Sequence, residues 1–220
     1  MIAGSTLWAI GALAIVPLLF MATTSFVNLQ FVFSILRNAL GTGDVPSGAI
    51  VSALAAILTL YVMTPVGTEI AQACAEPNTR IQWADPLAGD SAEAVLACVR
   101  VGQEPLRRFL ARNAGKSEAA LFVDLARRSR PPDRRAAVGA GDLLVVLPAF
   151  LITELKEAFQ VGFLVFLPFL VIDLVIANIL LALGMTMLSP STISLPFKLL
   201  LFVLVDGWYV LSQALVAGYA

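Results

Sequence analysis

The stretch AFQVGFLVFLPFLVIDLVIANILLALGMTML, residues 158–188, runs for 31 residues with a single charge, Asp173. As a helix at ~1.5 Å per residue it would measure about 46 Å, against a membrane hydrocarbon core of about 30 Å. One straight span cannot use all of it. Pro168 and Gly184 are the places where such a helix can kink. Its end is unusual too. A solvated helix end carries Lys, Arg or a polar cap, whereas this one closes on Gly184, Met185, Met187 and Leu188, with Pro190 just beyond. We expect Gly184 to let the backbone leave the helix and Pro190 to keep it from resuming at once.

The rest of the chain has the same character. Of 220 residues, 59% are hydrophobic and 13% charged, where a soluble domain has about 25% charged. Mean hydropathy is +0.89, the value of an integral membrane protein. Net charge is −1, which gives no electrostatic case for nucleic acid. There is no histidine, so the commonest general base and metal ligand is missing. Neither GxxxxGK[ST] nor HExxH occurs, and no Ser/His arrangement is available. The residues therefore point away from an enzyme and imply no cofactor and no metal.

Four apolar blocks mark the membrane segments: Leu7–Leu36, Ala49–Val66, Leu143–Leu188 interrupted by ELKEAFQ (residues 154–160), and Ile193–Ala217. No Lys or Arg precedes Arg37, so residues 7–36 are expected to be a retained helix and not a cleaved leader. The fold class expected is an all-α membrane protein with about four hydrophobic helical segments, kinked or hairpin-forming. Residues 1–71 would hold membrane helices 1 and 2, residues 72–142 a helical solvated insert, and residues 143–220 the C-terminal membrane helices.

The insert holds 11 of the 14 Lys and Arg and 9 of the 15 Asp and Glu. EPLRRFLARN (residues 104–113) predicts a helix with Pro105 at its first position and Leu106, Phe109 and Leu110 on one face. Ser117 is placed to cap a second helix carrying an Asp124–Arg128 pair at i,i+4. Residues 128–142 predict a loop, after which Asp142 can cap the next helix. The near-balanced charge and length of this insert leave orientation undecided on physical grounds. Cys74 and Cys98 are isolated. Free or buried thiols are expected ahead of a bridge, which would need an oxidising compartment.

Six charges lie in apolar context: Glu154, Lys156, Glu157, Asp173, Lys198 and Asp206. Each costs ~2.5–3.5 kcal/mol at a membrane helix centre, so they should face protein or water. Asn178 adds a hydrogen-bonding group. If the chain turns at Pro190, Asp173 and Asp206 reach similar depth, while Lys198 stands about 12 Å from Asp206 along its helix. Partners from another subunit are then expected. The competing reading is a proton relay through Asp173 and Asp206, as in a proton-coupled membrane carrier.

The C-terminal third also resembles a known family. ELK.AF (from Glu154), GF..FLPFL.ID (Gly162–Asp173), GM.ML.P (Gly184–Pro190), ISLPFK (Ile193–Lys198) and LFVLVDGW (Leu201–Trp208) occur in order. They are similar to the FliP/SctR family, the core export-gate subunit of bacterial type III secretion systems. Weaker likeness extends to LRNALGTG.VP (Leu36–Pro46), VM.PV (Val62–Val66) and PLRRF (Pro105–Phe109). Much of 72–100 and 127–142 has no counterpart. The resemblance implies a pentamer assembled with SctS-type and SctT-type subunits into a helical pore, beside SctU-type and SctV-type proteins. Exported unfolded polypeptides would pass through that pore. It implies a bacterial inner-membrane location, a periplasmic insert, and a methionine gasket formed here by Gly184, Met185, Met187 and Leu188. Thr186 stands where the family often has a third Met, and Ser189 where Pro is usual. The bare N-terminus leans toward an injectisome member.

Overall fold

The computed structural model describes residues 17–43, 45–75, 89–131, 135 and 139–219. Among them the chain is helical, with no strand. The helices are α1 (Pro17–Thr23), α2 (Phe26–Leu40), α3 (Gly48–Cys74), α4 (Gly89–Asn113), α5 (Lys116–Arg128), α6 (Leu143–Ala182), α7 (Pro190–Leu204) and α8 (Gly207–Ala217). By length and apolarity α3 and α6 each suffice to cross a membrane, and the interrupted pairs α1/α2 and α7/α8 raise the candidate spans to four.

Several local expectations need correction. The first block is interrupted at Thr24 and Ser25, and its first part, residues 7–16, lies outside the described residues. α6 continues through ELKEAFQ and Pro168, because Glu, Leu, Lys and Ala are good helix formers that a charge does not interrupt. Pro105 sits inside α4, not at its start. Ser117 does not cap α5. The N-cap is Gly115, and the Ser117 hydroxyl donates to the Glu118 carboxylate instead. Pro190 does not delay the next helix but begins it. Its fixed φ and missing N–H suit the first helical position, where no intrahelical acceptor exists. Two expectations stand: Arg128 pairs with Asp124 at 2.7 Å, and Asp142 Oδ1 accepts from Leu144 N–H at the start of α6.

The chain divides into two compact units. The first comprises Met1–Thr24 and Tyr61–Glu154. Its core is Leu110, Val146 and Phe150, with Leu106, Phe109 and Leu147 against them. The Phe109 and Phe150 rings meet at a tilt of 59°, their centroids 5.8 Å apart. Thr153 Oγ1 accepts the Gly115 N–H at 2.8 Å, so the start of α5 is tied to α6. Arg130 and Asp142 pair at 3.0 Å, and Arg107 donates to the Gly141 carbonyl at 3.1 Å. Cys74 and Cys98 form a disulfide with Cα atoms 4.9 Å apart, which overturns the expectation of free thiols. Sequence spacing carried no signal for it, because the pairing depends on α4 folding back along α3.

The second unit comprises Ser25–Leu60 and Leu155–Ala220. Its core is built on the α2 stripe Leu29, Val32, Phe33, Leu36 and Leu40, whose spacing puts them on one helix face. Phe169, Phe202 and Leu215 complete it from α6, α7 and α8. Gly162 lets α6 approach α2 closely, since a Cβ there would stand 2.4 Å from Ile35 Cδ1. α7 and α8 meet at a 58° bend. Gly207, at that bend, leaves room for the Phe202 ring, which meets Trp208 edge-on at 5.3 Å.

Candidate functional site

The site lies in the second unit and has two parts, an apolar loop and an ion pair between the helices that carry it. α6 ends in a Schellman motif, which satisfies the carbonyls a helix end leaves free. Gly184 is left-handed (φ 74), its N–H bonds the Leu181 carbonyl at 3.0 Å, and Met185 N–H bonds the Leu180 carbonyl at 2.9 Å. A Cβ on Gly184 would touch nothing, so backbone conformation and not space requires glycine there. The loop then runs to Ser189, which holds the N-cap position of α7 in an extended conformation without a side-chain capping bond. Within it Met187 is 98% exposed, and Met185 and Leu188 are exposed as well.

Behind the loop, Lys198 of α7 is only 4% exposed. Its ammonium pairs with Asp173 of α6 at 2.6 Å and donates to the Ala39 carbonyl at 3.0 Å. The other Asp173 oxygen accepts from Ser194, one turn before Lys198 on the same face of α7. Ala39 lies in the last turn of α2, where carbonyls lack helical partners and a cation suits the helix dipole. One lysine therefore joins α7, α6 and the C-terminus of α2.

The structure brings Asp173 and Lys198 together within one chain, where partners from another subunit were expected. The difference lies in the turn. Placing it at Pro190 set Asp173 at 17 residues and Lys198 at 8 from the reversal. The helix ends at Ala182, so Asp173 is 9 residues from the end of α6 and Lys198 is 8 from the start of α7. At ~1.5 Å per residue the two are level. Ser194 and the Ala39 carbonyl were missed. Their only signal was the four-residue spacing of Ser194 and Lys198 and the left-handed Gly41 that ends α2.

The remaining polar residues do not join this cluster. Glu154 is buried in the first unit. Lys156, Glu157 and Asn178 are exposed along α6, the Asn178 amide donating back to the Leu174 carbonyl at 2.8 Å. Asp206 is exposed at the α7/α8 break, in a left-handed conformation (φ 51) that no other described non-glycine residue adopts. It occupies the N-cap position of α8 without a side-chain capping bond.

A family model described as the FliP family matches residues 9–215. Curated relatives cover nearly the whole chain. The chain is 44% identical over 207 residues to the Yop proteins translocation protein R of Yersinia pestis, spanning 94% of this chain and 92% of that protein. It is 41% identical over 208 residues to the hypersensitivity response secretion protein HrcR of Ralstonia nicotianae, spanning 94% and 93%. It is 41% identical over 214 residues to the flagellar biosynthetic protein FliP of Pectobacterium carotovorum, spanning 97% and 78%. The chain belongs to the FliP family, the inner-membrane export-gate subunits of type III protein secretion.

Proposed function

We propose that the loop of residues 183–189 is this subunit's contribution to the seal of the export channel, with Gly184, Met185, Met187 and Leu188 as its gasket. The observation that carries this reading is a methionine exposed over 98% of its surface on a loop whose two flanking helices are joined by a buried ion pair. A Met that merely filled a gap between the chain's own helices would be covered by them. Unbranched thioether side chains re-pack around irregular surfaces. A ring of them can seal against ions yet yield to a passing unfolded polypeptide of any sequence, where a charged ring would select by charge. The role is structural and not catalytic.

Copies of this chain, five by family resemblance, would meet at the loop, with SctS-type and SctT-type subunits completing the pore and SctU-type and SctV-type proteins beside it. Lys156, Glu157 and Asn178, exposed along an apolar helix, suit protein neighbours better than lipid. Residues 1–71 and 143–220 would lie in the membrane and residues 72–142 in the periplasm. The Cys74–Cys98 bridge supports that orientation, because disulfides persist in oxidising compartments. The ion pair favours a structural role for Asp173 over a proton relay, since its carboxylate is already held by Lys198 and Ser194.

Met185→Ala combined with Met187→Ala tests the seal. The complex should assemble and leak small ions in the resting state. An assembled double variant whose membrane stays as tight as wild type would overturn the assignment.

A further inference from the structure

The Cys74–Cys98 bridge sits on an antiparallel seam between α3 and α4. Four residues back along α3 and four forward along α4 from the cysteines, Ile70 meets Gly102, where an added Cβ would stand 3.1 Å from Ile70 Cγ2. Further along, Arg108 pairs with Glu69 at 2.8 Å. Beside these contacts the seam opens into a groove of about 410 Å³ lined by Glu69, Gln72, Ala73, Val101, Glu104 and Arg108, among others. Both cysteines are half-buried, and no residue from Ala97 to Val101 is buried. Around Cys98, residues 97–101 of α4 are therefore held to α3 by the disulfide and not by a core.

We infer that Cys74 and Cys98 are a client site of an extracytoplasmic thiol–disulfide oxidase, which locks α4 onto α3 at Cys98 after the insert has crossed the membrane. The inference rests on the periplasmic orientation proposed above. One cysteine thiolate attacks the oxidase disulfide and forms a mixed disulfide. The second thiolate attacks that first cysteine's sulfur and releases the oxidase as its dithiol. The two thiols lose two protons and two electrons, and the oxidase disulfide takes up two of each to become the dithiol. The Ile70–Gly102 packing and the Glu69–Arg108 pair hold the two sulfurs near each other before the bond forms.

The test uses the full chain in the inner membrane of cells with and without the periplasmic oxidase. A mass-tagged maleimide should add two tags in oxidase-proficient cells only after reduction, and two tags without reduction in oxidase-deficient cells. There, limited proteolysis should cut within residues 97–101 several-fold faster. Cys74→Ser and Cys98→Ser, each with one thiol left, should take a membrane-impermeant maleimide in spheroplasts. If the single variants label from outside while wild type takes two tags without reduction in proficient cells, the inference fails and the orientation stands. Labelling of the single variants only after the inner membrane is breached would overturn the orientation and the inference with it. A bridge formed equally well in oxidase-deficient cells would overturn the role of the enzyme.

Discussion

Lys198 and Asp173 meet at 2.6 Å across the α6–α7 hairpin although 25 residues separate them. The lysine side chain is 5% exposed and the aspartate 32%. Removing one partner of a buried pair leaves an uncompensated charge, whereas replacing both by apolar residues is often neutral. Asp173→Leu alone should destabilise the chain by about 2 kcal/mol, below the ~3–5 kcal/mol of a fully buried pair because Asp173 is partly open. Adding Lys198→Met should recover most of that loss. Denaturation in detergent micelles measures both, and a double variant no more stable than the single one would refute the coupling.

At Gly184 the requirement is conformational. Ala there must adopt positive φ at a cost of ~1–2 kcal/mol, with no steric clash. Gly184→Asn, which tolerates that conformation better, should lose less. Ranking Gly, Asn, Ala by thermal midpoint checks this, and Ala equal to Gly would show that the loop readily takes another path.

Gly207 differs, because its obstacle is a ring. A Cβ would lie 2.0 Å from Phe202 Cε2, so Gly207→Ala should displace Phe202 from Trp208 at a cost of about 1–3 kcal/mol. Phe202→Leu should relieve part of it in the double variant. Tryptophan fluorescence reports the displacement, and an unchanged spectrum in Gly207→Ala would contradict the packing.

Asp206 holds a left-handed conformation without a capping bond. Asp206→Gly should stabilise the bend by about 1 kcal/mol, while Asp206→Asn should be near neutral for folding. Loss of secretion in the Asn variant with folding intact would trace the role of Asp206 to its charge.

In the first unit, hydrogen bonding from Arg107 at 2.7 and 2.9 Å holds the Glu104 carboxyl below its usual 4.5. A depressed carboxylate stabilises the fold above pH 4.5 and loses that contribution as pH falls through the lower folded value. Glu104→Gln should lower the neutral plateau slightly and leave stability at low pH little changed, so that the acid limb flattens, as urea titrations at several pH values would show.

Composition alone determined the class of this protein. An apolar fraction this high cannot be solvated, and helices satisfy their own backbone in lipid, so membrane helices follow from hydropathy. The Asp142 cap and the Asp124–Arg128 pair were legible because each depends on residues within one or two turns. So was the exit from α6 at Gly184, a backbone property of one residue. The tertiary structure decided what lies across helices. A few residues' difference in where the α6–α7 turn falls converts Asp173 and Lys198 from offset charges into a level pair. The Ala39 carbonyl carries no side-chain signature at all. The bridge from Cys74 to Cys98 exists only because α4 returns antiparallel along α3. Registers between helices are set by packing and loop length together, and periodicity within one segment does not contain them.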